Sequence, residues 1–154
     1  MLPEGVPLVG VFLDQNADEV RATAAAVGLG AAQLHGAWLD EDLGVPRYAV
    51  VHVHDEASLA VLGARAGAAR VLLDGPAGGG LGSSFPWSLA HRARAMHAAE
   101  LYIAGGLTPQ NVAEAIRAGA PAGVDVASGI EGPDGFKDAA RVNAFVAAVR
   151  GAFQ

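Results

Sequence analysis

Polar and proton-carrying side chains recur at the ends of short apolar runs in this chain: Gln33 and His35, His52 and His54, Asp74, and Asp125. In Val124-Asp125-Val126 the two valines share one face of a strand and Asp125 takes the other. If the valines pack on helices, the carboxyl points into the opposite layer near the strand end. In a barrel a carboxylate there is usually functional, because catalytic groups sit at that end; the plain alternative is a solvated loop aspartate or a turn cap. Gln33 and His35 lie two apart and share a face, as do His52 and His54, and Asp74 directly follows Leu73. Each is placed to line the same mouth, and each taken singly is equally well explained as a satisfied structural residue. The histidines lack the helical His-x-x-x-His spacing or mixed carboxylate spacing of a metal site, so no metal is expected.

Two loops suit an anion. Ala104-Gly105-Gly106-Leu107-Thr108-Pro109 joins an apolar run to a capped helix start, with Gly105 and Gly106 where backbone must approach a ligand. Ala127-Ser128-Gly129-Ile130 follows the last apolar run in the same way, adding the Ser128 hydroxyl to the amide of Gly129. Exposed amides of this kind cradle phosphate without side-chain charge. Either loop alone is an ordinary turn; two in successive final units match the phosphate site after the last two strands of a (β/α)8 barrel. A glycine-rich stretch from Gly75 to Ser84 reads as a flap over the mouth or a plain connection, with Phe85 and Trp87 as packing anchors.

These residues need elements to hold them. Leu8–Phe12, Ala31–Leu34, Tyr48–Val53, Arg70–Leu73, Leu101–Ile103 and Gly123–Val126 read as buried strands. Between them, Asn16 with Glu19 forms a capping box for a helix that places Val20, Ala24 and Val27 on one face and stops at Gly28. Asp55 caps a helix carrying Leu59, Leu62 and Ala66; Pro86 and Trp87 open another, through about Ala98. Thr108 and Pro109 start a helix with Val112 and Ile116 inward, and Asp138 starts a last one burying Val142, Phe145, Val146 and Val149. The stretch from Trp38 to Val45 has room for one helical turn at most. Strands alternating with helices demand a parallel sheet, and short, evenly spaced strands favour a barrel over an open sheet.

The chain of 154 residues suits a single domain, 1–154, and is 52% hydrophobic and 17% charged, which excludes a disordered segment. A net charge of −6 argues against nucleic acid as partner, while leaving a small anion possible through backbone amides. There are no cysteines, hence no disulfide, thiolate metal site or cysteine nucleophile. No apolar run approaches the roughly 20 residues that span a bilayer, and Met1 to Gly5 lack a signal pattern. The expectation is a cytoplasmic protein without a membrane partner.

Taken in order, Val9-Gly10-Val11-Phe12, Gln33-Leu34-His35-Gly36, Leu72-Leu73-Asp74, Gly79-Gly80-Leu81-Gly82 with Phe85 and Trp87, Ile103-Ala104-Gly105-Gly106-Leu107, and Gly123-Val124-Asp125-Val126-Ala127-Ser128-Gly129 resemble the phosphoribosylanthranilate isomerases. Phe136-Lys137-Asp138 resembles the opening of that family's last helix. The resemblance implies an α/β fold of the (β/α)8 TIM-barrel type, incomplete, with six of the eight βα units present. It implies an Amadori rearrangement in tryptophan biosynthesis without metal or organic cofactor. The N-phosphoribosyl anthranilate becomes its 1-deoxyribulose isomer, which requires an acid to open the sugar ring and a base to remove the C2 proton. The resemblance assigns the acid to Asp125, phosphate to Gly105, Gly106, Ser128 and Gly129, and substrate lining to Gln33, His35 and Asp74. The family's base is a cysteine in a Lys-Ile-Cys-Gly-like first strand, and its arginine for the anthranilate carboxylate lies in the same part; neither is matched here. The chain alone is therefore expected to be inactive, whether as a shortened isomerase, a non-catalytic phosphate-binding remnant, or a half-barrel assembly module. Open barrel edges are expected to promote self-association.

Overall fold

The computed structural model describes residues 5–75 and 85–153, so most of the glycine-rich stretch lies outside the described residues. Six parallel strands form one sheet: β1 Val9–Leu13, β2 Ala31–His35, β3 Arg47–His52, β4 Arg70–Asp74, β5 Glu100–Ile103 and β6 Gly123–Val124. Their order is β1-β2-β3-β4-β5-β6 without a reversal. A doubly wound sheet reverses its order at a switch point, so this steady progression is that of a barrel wall. Among the described residues β1 and β6 are its two edges.

Four α-helices cover the outer face: α1 Ala17–Val27, α2 Ser88–Met96, α3 Val112–Gly119 and α4 Ala139–Ala152. The capping box of α1 is made, with 3.0 Å bonds from the Glu19 amide to the Asn16 side chain and from the Asn16 amide to the Glu19 carboxylate. Asp138 caps α4 by accepting from the Arg141 amide at 2.8 Å. The outward sides of the strands, including Val51, Val71, Leu73, Leu101 and Ile103, pack with Leu89, Val112 and Ile116 from α2 and α3. Truncating one of these fully buried aliphatic side chains to alanine costs about 2–5 kcal/mol. Phe85 is buried and Trp87 packs against the same core, as expected of anchors.

Several expectations change. The segment capped by Asp55 is a 3-10 helix, Ala57–Ala64, not an α-helix. Asp55 still accepts from the Ser58 amide, at 3.0 Å. Leu59 and Leu62, three apart, line up on one face of a 3-10 helix and are both buried, whereas Ala66 falls outside it and is exposed. Thr108 does accept from the Gln110 amide at 3.3 Å, but a turn intervenes and α3 proper starts at Val112. Val27 and Val146 are exposed. α4 is flanked by α3 alone, and α1 has no neighbouring helix, because Gly36 to Pro46 form none between β2 and β3.

Candidate functional site at the carboxyl ends of the strands

The sheet register gathers the polar side chains on the inner face. Val11 pairs with Gln33 and Leu13 with His35. His52 pairs with Asp74, and Tyr102 with Gly123. Asp125 stands two residues past Gly123, its amide still donating to the Ile103 carbonyl at 2.9 Å. Alternation therefore turns Asp125 inward while Val124 and Val126 pack on the helical core. At the amino ends of the strands the same face is closed by Arg70, which lies 4.6 Å and 4.0 Å from the Tyr48 and Tyr102 ring centres and pairs with Glu100 at 3.2 Å. The polar mouth is thus at the carboxyl end, where barrel sites lie.

Gln33 and His35 face each other with their Nε2 atoms 3.1 Å apart, and the His35 and His52 ring centres are 6.2 Å apart. Partial burial first, and the neighbouring His52 second, hold the His35 pKa below its usual value; Asp74 and Asp125 pull it back up. Asp125 is pushed above the ordinary carboxylate range, by desolvation first and by the negative charge of Asp74 second, with His35 opposing. The residue also remains open to water, so screening limits what this shift is worth in stability. His54, grouped above with His52, lies beyond β3 and is exposed; its amide is tied to the Ser58 hydroxyl. Among the described residues no cluster of histidine and carboxylate side chains is arranged to hold a metal.

The two glycine loops meet above the carboxyls. Gly105 has φ +76°, and a Cβ there would run into the Asp74 carboxylate, with the Gly75 amide nitrogen 2.5 Å away. Only glycine lets this loop lie against Asp74. Gly129 packs on the other loop so closely that a Cβ would overlap the Leu107 carbonyl oxygen and sit 2.8 Å from its carbon. Asn111 braces the first loop, donating to the Gly106 carbonyl at 2.9 Å and accepting from the Thr108 amide at 2.7 Å. Lys137 braces the second, donating to the Ala127 carbonyl at 2.9 Å and to Glu131 at 2.5 Å.

A cavity of about 150 Å³ contains Asp74 and Asp125 together with both loops. A second, of about 350 Å³, lies on the other side of the loop contact, toward Thr108, Gln110 and Arg141. The two share Gly106, Leu107, Ser128 and Gly129 as a common wall. Asp74, Gly105, Gly106, Asp125, Ser128 and Gly129 line these cavities, whereas Gln33 and His35 do not. Arg141, an exposed side chain in the first turn of α4 that the sequence reading did not single out, also lines the larger cavity.

A parallel barrel wall with a carboxyl pair and glycine loops at its strand ends defines the class: a TIM-barrel-type enzyme acting on a small molecule. The profile of the family described as N-(5'-phosphoribosyl)anthranilate (PRA) isomerase matches residues 2–148. The chain is 42% identical over 151 residues to the N-(5'-phosphoribosyl)anthranilate isomerase of Myxococcus xanthus, covering 93% of this chain and 71% of that relative. The solved phosphoribosyl anthranilate isomerase of Thermotoga maritima superposes with a TM-score of 0.82 at 34% identity, covering 97% of this chain and 76% of that one. A further solved isomerase, in complex with reduced 1-(o-carboxyphenylamino)-1-deoxyribulose 5-phosphate, gives a TM-score of 0.79 at 31% identity, covering 97% and 74%. The chain belongs to the phosphoribosylanthranilate isomerase family, the isomerases of this step in tryptophan biosynthesis. No helix of the described residues is long and apolar enough to cross a membrane.

Proposed function

We propose that this chain binds the phosphoribosyl anthranilate with its phosphate on the Gly105-Gly106 and Ser128-Gly129 loops and its reacting carbons beside Asp74 and Asp125. The observation that carries the reading is the pair of cavities sharing the two glycine loops, with carboxyls on one side only. Asp125 remains the proposed acid, but it acts as one member of a pair. Desolvation first, and the charge of Asp74 second, raise the Asp125 pKa and so favour its protonated form. Protonating the ring oxygen opens the sugar to a Schiff base. A base then takes the C2 proton, and the resulting enol form passes to the ketone.

The chain contains no cysteine for that second role, and by itself it is proposed not to turn over. His35, on the same face, has its pKa lowered chiefly by partial burial. The test is fluorescence-monitored consumption of phosphoribosyl anthranilate by the 154-residue chain. No turnover supports the proposal; turnover that disappears in His35→Gln would make His35 the base instead. Where activity is measured, Asp125→Asn and Asp74→Asn should each lower kcat by about 10²–10⁴-fold, the range of a lost acid–base group. Retained activity in both variants would overturn the carboxyl pair.

Association between copies has its own support. Val9, Val11 and Leu13 alternate along the edge strand β1 and are 40%, 66% and 66% exposed on the inner face. One of the similar solved structures is described as monomers generated from a dimeric phosphoribosylanthranilate isomerase of Thermotoga maritima. The proposed contact here is the β1 edge with its apolar stripe, since unpaired strand edges and contiguous apolar surface both favour pairing.

A further inference from the structure

Asp125 follows β6, an edge of the sheet among the described residues, and nothing on its own strand shields it from below. The inward position two residues earlier is Gly123, whereas Asp74 has the buried Leu72 in the corresponding place on β4. The neighbouring strand fills the gap. Tyr102 pairs with Gly123. Its ring lies across that residue so closely that a Cβ there would overlap the ring Cε1 and sit 2.6 Å from Cζ and 2.8 Å from Cδ1. Any side chain at 123 would compete with the ring for this place. Arg70 holds the ring from the amino end: its guanidinium carbon lies 4.0 Å from the ring centre, where the ring quadrupole attracts it. The same guanidinium is fixed in turn by the Tyr48 ring at 4.6 Å and by Glu100 at 3.2 Å. Successive inward positions on a strand are about 6.5 Å apart, a span that an aromatic ring bridges. The Tyr102 ring therefore lies in the layer directly beneath Asp125. Asp125 is itself open to water at the mouth, so burial reaches its carboxyl only from beneath and from the loops.

We infer that Tyr102 is a positioning residue for Asp125: its ring takes the place of the side chain that Gly123 lacks and keeps water from the sheet-facing side of the carboxyl. This rests on the proposed role of Asp125 as the acid and names what in the fold fits it for that role. Desolvation is the first cause of the raised Asp125 pKa, and an apolar ring against one side of a carboxyl disfavours the ionised form. The other groups that bear on Asp125 are Asp74 on β4, which raises its pKa further, and His35 on β2, which lowers it. His52 of β3 is registered with Asp74, and Arg70 and Glu100 form an ion pair at the amino end of the same face. The role falls to the Tyr102 ring and not to its hydroxyl.

The test is the carboxyl titration of Asp125, followed by carbon-13 NMR in the 154-residue chain and in Tyr102→Phe, Tyr102→Ala and Tyr102→Thr. The signal is assigned by its loss in Asp125→Asn. The ring is on the inner face, away from the helix-packed core, so its removal leaves that core whole, and Tyr102→Thr also keeps a strand-favouring residue. Tyr102→Ala and Tyr102→Thr should both bring the Asp125 titration down toward the ordinary carboxylate range, while Tyr102→Phe leaves it unchanged. Urea midpoints are measured on the same proteins. A purely structural role would lower the midpoint with the Asp125 titration unmoved. That result, or a Tyr102→Phe shift as large as that of Tyr102→Ala, would overturn the inference. If Asp125 of the unsubstituted chain titrates as an ordinary carboxylate, its assignment as the acid fails as well. If it titrates high and stays high in both ringless variants, only the role of Tyr102 fails.

Discussion

Replacing Gly129 with alanine tests whether the two glycine loops form one site. Gly129 does not need a left-handed φ, so the effect of a methyl group there is steric. The new Cβ would overlap the Leu107 carbonyl oxygen, lie 2.8 Å from its carbon and 3.2 Å from the Thr108 Cα. All three neighbours are backbone atoms, so no side chain can swing aside. Ordinary contact begins at 3.4 Å, so relieving the carbon alone needs 3.4 − 2.8 = 0.6 Å of separation, and the oxygen needs more. Overpacking on this scale costs about 1–3 kcal/mol. Displacing binding groups by roughly an ångström costs on the order of 10²-fold in a positioned site. Gly129→Ala is therefore expected to lower the urea midpoint and to weaken the reduced product analogue by at least about tenfold. Gly63→Ala is the control, because nothing lies within 4 Å of a Cβ there and φ is not positive. It should leave binding unchanged and alter stability by less than about 1 kcal/mol, in the stabilising direction if at all. Urea unfolding and calorimetric titration on the three proteins decide the matter. If Gly129→Ala matches the unsubstituted chain in both midpoint and affinity, the loops are not a single cradle.

Asp125→Asn should stabilise the unliganded chain at neutral pH. The folded-state pKa of Asp125 is raised, so its protonated form favours folding. That contribution is fully present below the unfolded-state value and is lost as pH rises through the folded one. The gain from Asp125→Asn should accordingly fade as pH drops into the acid range; thermal unfolding measured across pH would contradict this by showing destabilisation at neutral pH. His35 should titrate by NMR below an ordinary histidine. His52→Gln should raise its pKa by removing a like charge, and Asp74→Asn should lower it further by removing an attractive one. Opposite signs would mean that the three groups do not share the mouth. Val11→Thr with Leu13→Gln should shift sedimentation of concentrated chain toward monomer; unchanged association would place the contact elsewhere.

Much of the arrangement was legible in local pattern. Alternation in Val124-Asp125-Val126 turns Asp125 inward, and the Asn16–Glu19 box marks where α1 begins, because both depend on neighbours within a few residues. The parallel pairing follows from the repetition of strand and helix, and the short, even spacing of the strands favoured the steady order that the sheet shows. What escaped was set by distant partners. The pairing of His52 with Asp74, and the charge that Asp74 places beside Asp125, arise only from the sheet register. Exposure of Val27 and Val146 depends on which helices have neighbours, and the 3-10 form of Ala57–Ala64 on the packing of Leu59 and Leu62. Only the fold brings Arg141 of α4 to the glycine loops, a proximity that nothing near it in the chain foretells.

The most direct test is an amide chemical-shift map of the 154-residue chain titrated with reduced 1-(o-carboxyphenylamino)-1-deoxyribulose 5-phosphate. The account predicts the largest shifts at Gly105, Gly106, Ser128 and Gly129, with further shifts at Asp74 and Asp125 on the carboxyl side of the loops. Shifts confined to the opposite end of the sheet, where Arg94, His97 and Pro121 line another cavity, would contradict it.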